Sequence, residues 1–142
     1  MSDIWDLARE LGAKIVFFKP DGNVTKDGMY YRDISTVCLN ALVSEKRQEN
    51  VLLHETGHSY YGHQHYSCHA KGWSARQERQ ANEYMIHQRA EEWLAQYDWE
   101  PQYIDYSAFL EYFELDRKHY SLAEEAFTDI LVGNKSNHCC LQ

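Results

Sequence analysis

The sequence predicts an α+β fold: a short helix and a small three-stranded sheet, followed by helices alone. Three observations carry this. Strand-type runs are confined to residues 15–43. Apolar residues at helical spacing dominate from residue 45 onward. The punctuation between the two regions is turn and cap chemistry, with no interdomain linker and no internal repeat.

In order along the chain, residues 3–11 form the first expected helix. Ile4, Leu7, Ala8 and Leu11 recur on one face, Ser2 or Asp3 can cap it, and Gly12 can end it. Ile15–Phe18 is an apolar run of strand length, and Pro20-Asp21-Gly22-Asn23 is a turn. Met29–Arg32 is the second strand, and Thr36–Val43 the third, by its alternation. Ser44 caps the next helix, residues 45–61, which Gly62 closes. A polar loop holds His63, His65, Cys68 and His69. Ser74 and Gln77 then make a capping box for a long helix over 75–96. Ser107–Phe113 is a short helix. Ser121 and Glu124 open a last helix, Leu122–Val132, that Gly133 ends. Residues 1–133 read as a single domain and residues 134–142 as a loose, flexible tail.

Composition narrows the function classes. The 142 residues suffice for a hydrophobic core. No apolar run reaches about 18 residues, so no membrane span is expected. Met1–Asp6 lacks the basic-then-apolar pattern of a signal peptide. A net charge of -8 argues against a sequence-independent nucleic-acid binder. Cys38, Cys68, Cys139 and Cys140 form no disulfide framework, which suits a reducing cytoplasm. The final Cys139-Cys140-Leu141-Gln142 has the form of a prenylation box, but no basic stretch precedes it, and it reads as plain tail.

The chemistry concentrates in His54-Glu55-Thr56-Gly57-His58. This is H-E-x-x-H. On a helix, residues i and i+4 share a face, so both imidazoles can bind one zinc ion. Glu55 lies beside them as the general base of a hydrolytic site. Val51, His54, His58 and Tyr61 share one face, which is expected to point inward.

A third protein ligand is usual, and the long helix supplies it. Glu78 stands near its start, with Asn82 one turn on and the small Ala81 between. Glu78 can take the metal while Asn82 hydrogen-bonds a ligand histidine. Glu83 is the rival, about 100° further round the helix than Asn82. Tyr60, Tyr61, His63, His65, His69 and His87 are candidates for an oxyanion donor, and the sequence does not choose among them.

HETGH followed by Glu78-Arg79-Gln80-Ala81-Asn82-Glu83-Tyr84-Met85 resembles the ImmA/IrrE metallopeptidases, which show H-E-x-G-H and then E-x-x-A-N-x-F-A. Gly57, Glu78, Ala81 and Asn82 match, with Tyr84 for Phe and Met85 for Ala. The resemblance covers residues 1–95. It implies a minimal zincin-like domain with His54, His58 and Glu78 as zinc ligands and Glu55 as base. It also implies a cytoplasmic regulator whose partner and substrate is a helix-turn-helix repressor of a phage or mobile element. The expected activity is zinc-dependent endopeptidase. The other reading is a non-catalytic zinc-binding regulator that binds and displaces a partner. No direct nucleic-acid binding is expected.

Overall fold

The computed structural model describes residues 4–10, 12–21, 26–62, 74–97 and 103–140. Ser2, Asp3, Leu11, Gly22, Asn23, Pro101 and the loop with His63, His65, Cys68 and His69 lie outside the described residues. The chain divides into two compact units, Met1–Asn82 and Glu83–Gln142. It is an α+β protein with one three-stranded mixed sheet and five α-helices among the described residues.

In the first unit, helix α1 (Ile4–Glu10) leads into strand β1 (Lys14–Phe18). Gly12 turns the chain between them, with φ +76° and its N–H donated to the Arg9 carbonyl at 2.9 Å. Strand β2 (Gly28–Tyr31) and strand β3 (Thr36–Asn40) are joined by a 3-10 turn over Arg32–Ile34. The sheet order is β1-β3-β2, with β1 parallel and β2 antiparallel to β3. The inner strand β3 is therefore paired on both sides.

The sheet buries one face. Val37 and Leu39 of β3 join Ala8 of α1 and Leu52, and Ile4, Trp5, Ala13, Ile15, Tyr30 and Val51 pack around them. Leu52 and Val51 belong to helix α2 (Glu45–Tyr60). Helix α2 thus lies on the sheet through its first half and carries the H-E-x-x-H in its second.

β3 is shorter than the run Thr36–Val43 predicts. Asn40 is the reason: its side-chain oxygen accepts the Leu42 N–H at 2.8 Å. An asparagine offering its own acceptor two residues on favours a turn over a continued strand. Leu42 beyond it is exposed.

Helix α3 (Ala75–Ala95) starts in the first unit and continues into the second. Within the second unit, helix α4 (Tyr106–Tyr112) is capped by Asp105, which accepts the Ala108 N–H at 3.0 Å. Trp93 meets Phe109 edge to face at 5.9 Å, and Phe109 meets Phe127 at 5.0 Å. Arg89 is almost fully buried; its guanidinium pairs with Glu92 at 2.8 Å and lies 4.7 Å from the Phe113 ring centre. No helix among the described residues is long and apolar enough to cross a membrane.

Helix α5 (Tyr120–Cys140) corrects the expectation at both ends. It opens two residues before Leu122 because a 3-10 turn over Arg117–His119, capped by Asp116, feeds directly into it. It also passes through Gly133 into the segment expected to be a flexible tail. A glycine weakens a helix by about 1 kcal/mol and does not forbid it.

A Cβ at Gly133 would meet nothing within 4 Å. Gly133→Ala is therefore expected to stabilise the protein by about 0.5–1 kcal/mol, read as a higher midpoint in urea. A helix that stopped at Gly133 in the left-handed conformation would give the opposite sign, a loss of about 1 kcal/mol.

Candidate metal centre

All the residues at this centre belong to the first unit. Helix α2 begins at Ser44, whose hydroxyl accepts the Arg47 N–H at 3.2 Å. It ends where Tyr61 and Gly62 donate to the Gly57 and Ser59 carbonyls at 3.1 and 3.0 Å, with Gly62 at φ +65°. Between these caps, His54 and His58 stand one turn apart. Their ring centres are 4.9 Å apart and the planes nearly perpendicular, at 85°. His58 is buried, and His54 keeps about a fifth of its side chain exposed.

Glu78 reaches both rings from the first turn of α3. Its Oε2 lies 3.1 Å from His54 Nε2, and its Oε1 lies 3.0 Å from His58 Nε2. The start of α3 is held by a reciprocal capping box. The Ser74 N–H donates to the Gln77 side-chain oxygen at 2.9 Å, and the Gln77 N–H donates to the Ser74 hydroxyl at 3.1 Å. Ala81 is fully buried, and Asn82 hydrogen-bonds the His54 ring. Potential donor atoms of His54, His58 and Glu78 all lie within 4.8 Å of one another, an arrangement that could hold a metal ion. Glu83 is not in this group and falls in the second unit.

The charges fit this geometry. Hydrogen bonds from His54 and His58 hold the Glu78 carboxyl well below the usual carboxylate range, outweighing its partial burial. Burial alone would lower the His54 pKa, but the bond to Glu78 and the nearby Glu78 and Glu55 charges raise it overall, with a further contribution from Asn82. Glu55 moves the other way. Burial pushes its carboxyl up to about 7, against the pull of His54 and with the repulsion of Glu78. Its Oε2 is buried without a hydrogen-bond partner. Glu55 is the acid that burial has poised near neutrality, beside a pair of imidazoles.

Other candidates are placed differently. Tyr60 and Tyr61 are exposed at the end of α2, stacked edge to face at 5.1 Å. Tyr61 thus departs from the inward face predicted for it. His87 sits half-exposed on α3 beside Glu91 at 3.4 Å.

Sequence reasoning missed the bracing of α2. Arg47 donates from Nε and Nη2 to the two Asp27 oxygens, at 2.8 and 2.5 Å. Gln48, itself buried, donates to the Asn40 carbonyl at 3.0 Å. Arg47 and Gln48 read as ordinary polar positions of a helix; only the tertiary fold brings Asp27, 20 residues away, to Arg47.

The IrrE N-terminal-like domain, Peptidase_M78, matches residues 8–127 and so extends past residue 95, where the motif resemblance ends. No curated protein matches the chain.

The raised Glu55 pKa has a sign that can be checked without substrate. In metal-free protein, unfolding releases the Glu55 proton between pH 4.5, its ordinary value, and about 7. Stability from this group is intact below 4.5 and lost as the pH rises through 7. With chelator present, Glu55→Gln is expected to raise stability at pH 8, by at most about 3 kcal/mol, and to change it little at pH 4. Urea titrations of both proteins at the two pH values measure this; equal gains at both would show that Glu55 is not protonated by burial.

Proposed function

The chain belongs to the Peptidase_M78 family of IrrE N-terminal-like proteins, and from that premise we propose that it is a zinc-dependent endopeptidase. Membership supports a metallopeptidase-like activity on a protein substrate. The proposed ligands are His54, His58 and Glu78, and the proposed base is Glu55. One observation carries the reading: a carboxylate converges on two imidazoles beside a buried glutamate oxygen that lacks a partner.

The donor set suits zinc. Zinc takes histidine nitrogen and carboxylate oxygen at about 2.0–2.2 Å in tetrahedral sites. Donors at the corners of such a tetrahedron lie about 3.3 Å apart. The two histidine–glutamate separations here are 3.1 and 3.0 Å, each to a different Glu78 oxygen, and one donor atom from each residue lies within 4.8 Å of the others, a set that could hold one ion. When bound, zinc supplies a Lewis acid that makes water acidic enough to attack near neutral pH and polarises a peptide carbonyl.

The chain's own groups supply the rest. Asn82 fixes the His54 ring through its hydrogen bond. Glu55 takes a proton from the attacking water as the water oxygen bonds to the carbonyl carbon. It returns that proton to the amide nitrogen as the C–N bond breaks. An extended substrate can pair with a sheet edge. β3 is paired on both sides, so β1 and β2 are the edges among the described residues; β2 packs on α2, the helix with both histidines, and we assign the substrate to it.

The proposed substrate is a helix-turn-helix repressor of a phage or mobile element, met in the cytoplasm, and the family resemblance supports this. A non-catalytic zinc regulator would have no use for Glu55, whose partnerless buried oxygen costs stability.

Zinc content and cleavage of the repressor encoded nearest the gene test the reading. Wild type is expected to hold one zinc and cut. Glu78→Ala should lose zinc affinity by at least about tenfold. Glu55→Gln should keep zinc and lose cleavage by about 10²–10⁴-fold. Wild type without zinc ends the proposal, and a Glu55→Gln protein that still cuts removes the base.

A further inference from the structure

Strand β2 and helix α2 meet more closely than two elements with ordinary side chains could. Gly28 opens β2 and pairs with Leu39. A Cβ there would lie 2.7 and 3.2 Å from the two Val51 methyl carbons and 2.9 Å from the Cys38 carbonyl oxygen. The strand can sit where it does only because position 28 has no side chain. Val51 is one turn before His54, on the same side of α2.

The residue before Gly28 is tied to the same helix. Asp27 receives the Arg47 guanidinium on both carboxylate oxygens, the fork geometry that fixes direction as well as distance. Asn40 closes the arrangement. Its N–H donates to the Asp27 carbonyl at 2.8 Å, and its side-chain amide donates to the Lys26 carbonyl at 3.2 Å. Its carbonyl accepts from Gln48 of α2. The start of β2 is thus clamped at two adjacent residues onto the helix that carries both histidines.

We propose that Gly28, Asp27 and Arg47 are positioning residues that set where the outer edge of β2 runs relative to α2, and so align an extended peptide backbone with His54 and His58. This rests on the peptidase reading above. None of the three touches reacting atoms. Gly28 acts through Val51, and Asp27 and Arg47 act through the strand.

Two probes on the zinc-loaded protein separate this role from a general structural one. Acetohydroxamate reads the metal site alone. A hydroxamate-capped tetraalanine also reads the strand edge. In the wild type the peptide probe is expected to bind about tenfold tighter than acetohydroxamate. Gly28→Ala is expected to keep acetohydroxamate affinity within about twofold while losing that tenfold advantage. Adding Val51→Ala, which removes two of the three clashing atoms, should restore part of it. Asp27→Arg and Arg47→Asp should each lose the advantage, and the double exchange should recover it.

The proposal is overturned if Gly28→Ala and both single charge variants retain the full peptide advantage, or if they lose both probes together. A wild type that gains nothing from the peptide extension overturns it equally. Failure of the peptidase reading looks different: wild type then binds neither zinc nor acetohydroxamate.

Discussion

Glu78 spans two imidazoles with one carboxylate, and the first unit is arranged around that contact. Two histidines one turn apart on α2 would repel each other if both were protonated, and as neutral rings they would leave buried nitrogens in need of partners. A single acid from α3 resolves both problems. It does so only if α2 is held at a fixed place on the sheet and α3 starts at a fixed residue. The core of Val37, Leu39 and Leu52 meets the first requirement, and the Ser74–Gln77 box meets the second. The cost appears at Glu55, buried beside the rings and raised toward neutrality. A chain selected for stability alone would gain by replacing it. Its presence is the part of the arrangement that points to chemistry.

Much of this was legible in the sequence, for identifiable reasons. Helix α2 announced itself by Ser44 at one end and Gly62 at the other, and α3 by its reciprocal capping pair. Those are local signals, with donors and acceptors within four residues. Helical geometry separates the directions of Glu78 and Glu83, and Glu78 lies against both histidines. What escaped were decisions made against local preference or over long separations. β3 stopped at Asn40 because one side chain competed with the strand ladder. α5 ran through Gly133 because glycine is a weak obstacle and not a stop. The Asp27–Arg47 fork and the Asn40–Gln48 bond left no periodic trace.

Sheet topology was the largest gap. Three strands can be read one by one, but nothing in their composition says that β3, the last, lies in the middle. That order changes the functional argument. It pairs β3 on both sides and leaves β1 and β2 as the edges among the described residues, and the seat of β2 on α2 depends on the bare backbone of Gly28. The strand and the helix then behave as one piece: a displacement of either would move the proposed substrate edge and the proposed ligands together.

The self-contained start of α3 has one more consequence. Ser74 and Gln77 satisfy each other's backbone donors, so two residues of its own hold the turn that bears Glu78. A turn capped in this way keeps Glu78 at a fixed place on α3. The acid is thereby set by local bonds and the two histidines by packing on the sheet, so their contact joins a helix cap to a core.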